Sequence, residues 1–454
     1  MQFQACFMST VILDRLARGT ANAAELAALT GLLQPTLSRR LAALRAQVLP
    51  MGAPKLRRYG LLRRIRDLPP EVPVYRIGET GEALKTGTLY CLAADEFWFE
   101  SCIGQKPATR HYPDLPWWIQ DLRPQGFLGR SFPRRHADLQ LPIDIRDWDA
   151  ATILYALTRR GDDLPGDLLI GDGAYARWWE HRHAAGSARS DLLASRREQL
   201  YPVLADEAMQ GQAAGSSAGG EQPKFICSLL GDWQRSEVIV KFSPPVSEAI
   251  GQRWSDLLIA EHHALQALRG GDIAAAESEV VQSQGRSFLE VKRFDRVGDW
   301  GRRGVVSFGA ADNEFTGIGQ PWPAIARALL AEQRINSADV SRIERISAFG
   351  HLIGNSDMHP GNLSLLHDSP ERPGYGQFLL APVYDMLPML YAPVAGEVRT
   401  PVFTVPAPVG GLIAAYATMR PRAHAFWMTV SADERVSADF RQIAAANAEA
   451  LPKL

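Results

Sequence analysis

Apolar positions recur along the chain in two periods. Near the start, Val11, Leu13, Leu16 and Ala17 predict a first helix, and Ala23 to Leu29 a second that Gly31 ends. Pro35 to Ala46 predict a third, with Leu37, Leu41 and Leu44 along one face. MGAPKLRRYGLLRRIR then reads as a hairpin, and DLPPEVPV, residues 67–74, breaks the pattern. Beyond the break, VYRIG and TGTLYCLAADEFWFES predict strands of a sheet. From Pro107 to Asp149 a loop-rich stretch carries tryptophans. There LPWWIQDLRPQGFLGRSF, and after it RRGDDLPGDLLIG, offer turn residues and apolar anchors but no clustered reactive types, which predicts scaffold. A helical stretch covers about 191–209.

The second half alternates more tightly. AAGSSAGGEQPKF, residues 213–225, is a Gly-rich turn before the strand ICSLL, and EVIVKFSPP is an alternating strand stopped by a Pro pair. In QRWSDLLIAEHHALQAL, residues 252–268, Trp254, Leu257, Leu258, Leu265 and Leu268 mark a helix. EVVQSQGRSFLEVKRFDRVG gives two strands around Gly285. AIARALLAEQ and VSRIERISAFGHLIG are helical and lead into LIGNSDMHPGNLSLL, residues 352–366, a polar loop between apolar runs. FLLAPVYDMLPML puts Asp385 at the end of an apolar strand, and the tail beyond about 421 is mostly helical.

At 454 residues and 46% hydrophobic composition, the chain is long enough for two or three domains. No stretch approaches eighteen uninterrupted apolar residues, and Asp14 stands where a signal peptide needs its apolar core. A cytoplasmic protein without a membrane partner is expected. Cys6, Cys91, Cys102 and Cys227 are scattered without a CxxC, so free thiols are expected rather than ligands. Charge divides the chain. Residues 1–66 carry 11 Lys and Arg against Asp14 and Glu25, a balance of +9; the other residues hold 38 basic against 48 acidic, a balance of −10. A head that basic points to nucleic acid. Its order of helix, helix, turn, helix and hairpin predicts a winged helix-turn-helix. Thr36, Ser38, Arg39 and Arg40 then stand on the recognition helix, and Lys55, Arg57, Arg58, Arg63 and Arg64 on the wing. GLLQPTLSRRLAALR resembles bacterial helix-turn-helix regulators, with Leu33 in place of the usual Ser cap. A helical bundle using a solvated basic face for protein contact is the alternative.

The candidate chemistry centres on Asp357, His359 and Asn362. An Asp followed five residues later by an Asn is the spacing of a kinase catalytic loop, in which the Asp receives the hydroxyl proton and the Asn binds Mg²⁺. The same residue types also close turns, so order along the chain matters. Each further part has a candidate in the order a kinase needs. The Gly-rich turn ends in Lys224; Lys241 lies near the end of a strand; Glu261 sits on a helix; the segment Val291 to Phe294 is a hinge for adenine; Asp385 follows as a second metal carboxylate. Asp295 and Arg296 are expected to tie the hinge to the lower lobe. Zinc held by His351, His359 and His367 fits no standard ligand spacing.

Taken together, SAGGEQPK, VIVKFSPP, AEHHAL, LEVKRFDR, GNSDMHPGN and APVYDM resemble the HipA family of bacterial serine/threonine kinases, over about residues 75–440. HipA proteins are the toxins of type II toxin–antitoxin pairs, and the fused head points to the YjjJ-like subgroup. The resemblance implies an α+β, two-lobed protein-kinase-like fold behind the winged helix-turn-helix. Its expected parts are a DNA-binding domain at 1–66, a HipA N-terminal subdomain at 75–210, and the ATP-binding and catalytic lobes at 211–454. It implies ATP and Mg²⁺ as cofactors, with Asp357 as base and Asn362 and Asp385 as metal ligands. Lys241 would bind phosphate with Glu261 as partner, and Lys292 and Phe294 would hold adenine through their backbones. Ser217, or the adjacent Ser216, would be autophosphorylated in the loop that includes Gly219 and Gly220, and His359 would brace the catalytic loop. The family's partners would be a protein substrate, DNA, a HipB-like antitoxin and a second copy. A small-molecule phosphotransferase, and a DNA-binding regulator whose kinase-like body senses nucleotide, are the rival readings.

Overall fold

Residues 2–104, 108–183, 192–211, 222–231, 235–368, 377–408 and 410–451 are described by the computed structural model. At the N-terminus, helices Gln2–Leu16, Ala23–Thr30 and Gln34–Ala43 bury Ile12, Leu16, Leu26, Leu37 and Leu41 in one core. Asn22 caps the second helix: its side chain accepts from the Glu25 N–H at 2.9 Å, and the Glu25 carboxylate accepts from the Asn22 N–H at 3.3 Å. Two otherwise orphaned donors are satisfied reciprocally. Gly31 ends that helix at φ 68°, a left-handed conformation that a Cβ disfavours. The third helix stops at Ala43, short of the expected Ala46, and Leu33 at its start gives no side-chain cap. Strands Ala21–Asn22, Val48–Met51 and Arg58–Leu61 form an antiparallel sheet with Arg58–Leu61 in the middle.

This head is not on a tether. Met51 packs with Leu92 and Trp98 in a buried apolar cluster, the Thr20 N–H donates to the Glu96 carboxylate at 3.2 Å, and Arg63 pairs with Asp95 at 2.7 Å. The chain leaving the head is equally fixed. Leu62 bridges to Leu92, the Arg63 N–H donates to the Cys91 carbonyl, and the Arg66 guanidinium donates to the Leu139 carbonyl at 2.6 Å.

The partner of the head is a five-stranded antiparallel sheet in the order Thr109–Tyr112, Phe97–Ser101, Ala83–Cys91, Glu71–Ile77 and Leu168–Ile170. The Trp-rich stretch after it serves as core: Trp117, Trp118, Phe132 and Trp148 are all buried.

A second five-stranded sheet runs in the order Ser278–Ser283, Arg286–Lys292, Arg235–Phe242, Lys224–Leu230 and Leu192–Leu193. Alternation along its strands separates two faces. Helix Ala249–Leu268 covers one through Leu258 against Leu289 and Val291. Helix Arg197–Met209 covers the other, with Tyr201 against Phe225 and Phe288. Below this lobe, helices Phe308–Phe315, Trp322–Ala331, Ser337–Leu352, Ile413–Ala432 and Ala438–Ala450 surround a three-stranded sheet of Gly304–Ser307, Ser364–His367 and Leu379–Leu380. Among the described residues, no helix is long and apolar enough to cross a membrane.

Candidate active site

The two lobes meet at a cleft of about 220 Å³ that gathers residues remote in sequence. Lys241 enters from the strand Arg235–Phe242, whose alternation turns its side chain away from the Tyr201 cluster. Its ammonium donates to Glu261 Oε1 at 2.6 Å and Oε2 at 2.8 Å, and it also contacts the Asp385 carboxylate. Glu261 reaches it because helix Ala249–Leu268 lies on that face of the sheet, and the helix buries Glu261 completely. Burial alone pulls the Lys241 ammonium down; Asp385 and Glu261 outweigh it and hold the amine charged, above its ordinary value. At Asp385 burial is again opposed, this time by Lys241 and Lys224, and the carboxyl lies below its ordinary range. Burial is the largest influence on Glu261 and raises it. Lys224, on the neighbouring strand, pairs in register with Lys241 and lines the same cleft.

The polar loop after helix Ser337–Leu352 provides the opposite wall. Asn355 accepts the Asp357 N–H at 3.0 Å and its amide points to the Asp385 carbonyl at 3.5 Å, so one side chain ties the loop to the segment that carries the second carboxylate. That segment lies beyond the short strand Leu379–Leu380, so Asp385 is not at the end of a strand as expected. Asn362 gives its amide nitrogen to the Asp357 carbonyl at 2.8 Å and to Asp357 Oδ2 at 3.3 Å. That leaves the Asn362 carboxamide oxygen as a donor atom, and Asn362 and Asp385 both line the cleft. Two hard oxygen donors with room for phosphate and water fit Mg²⁺. Asp385 is held at φ 51°, an uncommon conformation for a residue with a side chain. His359 accepts the Gly361 N–H at Nδ1, 3.0 Å away, and its carbonyl accepts the Trp322 indole at 3.0 Å. It braces the loop.

At the hinge the structure departs from one expectation. Lys292 and Phe294 line the cleft as expected, and the Lys292 and Arg293 N–H groups are taken by the Glu277 and Glu237 carbonyls. Among the described residues, the Phe294 N–H has no such partner. Asp295 and Arg296, however, fasten the hinge chiefly to the turn 163–166, which belongs to the middle part of the chain. The Asp295 carboxylate accepts the Gly166 N–H at 2.9 Å, and Arg296 donates to Asp163 at 2.8 Å and to the Leu164 carbonyl at 2.8 Å. Arg293 adds bonds to Asp163 and Asp295, both at 3.0 Å. The DDLPG turn carries buried groups that need these partners, and periodicity gives no hint of them.

Ser216, Ser217, Gly219 and Gly220 lie outside the described residues. Thr36, Ser38, Arg39, Arg40, Lys55, Arg57 and Arg58 all sit on the head; Arg58 is partly committed, donating to the Thr20 carbonyl at 2.9 Å. The three histidines weighed for zinc are not assembled. His351 bonds Tyr416 at 2.6 Å, His367 is buried on its strand beneath Gly304, and among the described residues no cluster suited to a metal by three or more His, Cys, Asp or Glu exists. Sequence reasoning gave no role to Gln125, Pro165, Ser364 or Tyr384, which also line the cleft; the Tyr384 hydroxyl donates to the Gly361 carbonyl at 3.0 Å and its ring faces Phe294 at 5.9 Å. Tyr384 had one available signal, its position beside Asp385.

The chain matches the family model of the YjjJ-like toxin middle domain over residues 68–179 and that of the HipA-like C-terminal domain over residues 216–451. It belongs to the HipA-like toxin family. Toxin YjjJ of Escherichia coli (strain K12) is 40% identical to this HipA-like chain over 445 residues, covering 95% of each. Among solved structures, the HipA of Shewanella oneidensis MR-1, in a complex with HipB and operator DNA, aligns over 84% of the chain and 95% of its own at 16% identity and a TM-score of 0.43. The Helicobacter pylori proinflammatory kinase CtkA aligns over 50% of the chain and 90% of its own at 12% identity and a TM-score of 0.35. The family expected from the six motifs is the family found, and the expected α+β architecture is the one described above.

Proposed function

We propose that this HipA-like chain is an ATP-dependent serine/threonine protein kinase of the cytoplasm. The observation that carries the reading is the Lys241 ammonium held by Glu261 and Asp385 at one wall of the cleft, with Asn362 and the Asp357 loop at the other. Lys241 and Lys224 would meet the phosphates, and the free Phe294 amide the adenine. Asn362 and Asp385 would hold Mg²⁺, which when bound offsets phosphate charge. Asp357 orients the acceptor hydroxyl and takes its proton. Positioning and preset charge supply most of the acceleration. Autophosphorylation at Ser217 or Ser216 belongs to the same reading, as do a HipB-like antitoxin and a second copy as partners. Residues 1–66 would bind DNA as a winged helix-turn-helix, on the support of their charge and element order.

The test is incubation of purified wild type and Asp357→Asn with Mg²⁺ and γ-labelled ATP, followed by mass mapping. Label on protein hydroxyls, residues 213–225 included, is expected in the wild type only. Equal transfer by the Asp357→Asn variant would remove Asp357 from its role.

A further inference from the structure

The hinge residues Lys292, Arg293 and Phe294 line the cleft between the lobes, and they also line a separate cavity of about 340 Å³. Five cations enter the walls of this second cavity, Arg235, Lys292, Arg293, Arg296 and Arg303, against the carboxylates Glu237 and Glu277. Beyond residue 66 the chain carries ten more acidic than basic residues, so the cations gather here against the trend of the body around them.

Two of the five are occupied with the fold. Arg293 gives its donors to Asp163, Asp295 and the Leu164 carbonyl, and Arg235 gives Nη2 to Ser228 Oγ at 2.9 Å with Glu237 at 3.2 Å. The other three keep donors in hand. Arg303 gives Nε and Nη2 to Glu79, at 3.0 and 3.4 Å, and among the described residues its Nη1 makes no hydrogen bond. Arg296 spends Nη1 and Nη2 on the hinge and the turn below it, and among the described residues its Nε makes none. The Lys292 ammonium reaches Glu277 at 3.5 Å, with the two side chains 43% and 65% exposed. A pair that open to water adds little, and Glu277 yields Lys292 easily to another anion. The cavity is not polar all round. Ala275 and Ala276, both buried, give it an apolar side with Val297 and Pro382.

We propose that this cavity binds a small organic phosphate monoester. The phosphate would take Lys292 Nζ, Arg303 Nη1 and Arg296 Nε, and the organic body would lie on the two alanines, Val297 and Pro382. Near neutral pH a monoester is largely a dianion, and charge-assisted bonds to it are stronger than those to a neutral acceptor. Arginine matches phosphate in geometry as well as charge. The volume is that of a small-ligand pocket. The occupant is a ligand and not a substrate for transfer, since Asp357 does not line this cavity. The inference stands apart from the kinase reading, because it needs no nucleotide.

The experiment is isothermal titration of the full chain with phenyl phosphate, inorganic phosphate and phenol at neutral pH. Phenyl phosphate is expected to bind, inorganic phosphate to bind more weakly for want of the ring, and phenol to give no measurable heat. Arg303→Ala, at a half-exposed position, is expected to weaken phenyl phosphate about tenfold, the yield of one charge-assisted hydrogen bond, with the circular dichroism spectrum unchanged. Lys292→Ala should give a loss of similar size. No binding by wild type, or an affinity that either variant leaves unchanged, would overturn the proposal. So would displacement of the probe by Mg²⁺ and adenylyl imidodiphosphate with no effect of Arg303→Ala, because the probe would then lie in the cleft between the lobes. A phosphoserine peptide that bound more tightly than phenyl phosphate, and that Arg303→Ala released, would overturn the assignment to a small ligand.

Discussion

Lys241 answers to two carboxylates that have different duties. Glu261 is buried and holds the ammonium, whereas Asp385 would, in the proposed kinase, also serve a cation. In Glu261→Gln the ammonium keeps Asp385 as its one charged partner and competes there with Mg²⁺. The expected result is a fall in kcat of about 10²-fold or more with the fold retained, measured by steady-state phosphoryl transfer and circular dichroism. A second residue-scale expectation concerns acid. Burial pushes the His367 imidazole down to about 3, and those of His136 and His262 to about 4. The unfolded chain takes up these protons below about 6.5 and the folded chain does not, so stability is full above that pH and is lost as pH falls from there toward 4 and 3. The urea midpoint should be lower at pH 5 than at pH 7, and His367→Gln should show a smaller difference between the two; equal differences would reject the assignment to His367. That Lys241 meets Glu261 and Asp385, and Asp357 meets Asn362, was legible in the sequence as an order and partly a spacing of residue types. Asn355, Gln125 and Tyr384 were not, since what they do depends on neighbours 20 or more positions away or on a wall supplied by another part of the chain.

Among elements, helix Ala249–Leu268 is tightly seated. A Cβ on Gly251 would lie 2.0 Å from the Pro245 carbonyl, a backbone atom that cannot swing aside. Gly251→Ala should therefore cost about 1–3 kcal/mol of stability by denaturant titration and should displace Glu261 further along the same helix, lowering activity beyond the loss of folded protein. At the hinge, Asp295→Ala leaves Arg293, which is 5% exposed, with Asp163 as its remaining carboxylate. A loss of about 3–5 kcal/mol is expected from the same titration; a loss under 1 kcal/mol would mean that the turn 163–166 carries little of the hinge. The periods of 2 and 3.6 located these helices and strands well. Which elements they would be fastened to was hidden, because DDLPG acts through the Asp163 carboxylate and main-chain groups whose partners lie about 130 positions away.

The whole molecule joins a basic head to an acidic body through a small apolar contact and a few polar ones. Arg39 is exposed on the third helix of the head, and Arg39→Ala in the full chain should weaken DNA binding across sequences and lower the slope of log K against log salt by about 1. Arg58→Ala, which also loses the bonds to Thr20, should in addition lower the melting temperature. An unchanged slope for Arg39→Ala would count against the proposed DNA contact of the third helix. The proline-rich stretch at 67–74 looked from the sequence like slack between two units, yet Leu62, Arg63 and Arg66 are all spoken for before it begins. Severing the gene near codon 66 would consequently give two fragments that each carry an apolar scar, Met51 on one and Leu92 with Trp98 on the other. Fragments of that kind express poorly and stick to one another, and a protease added to the intact chain would find little to cut at the seam.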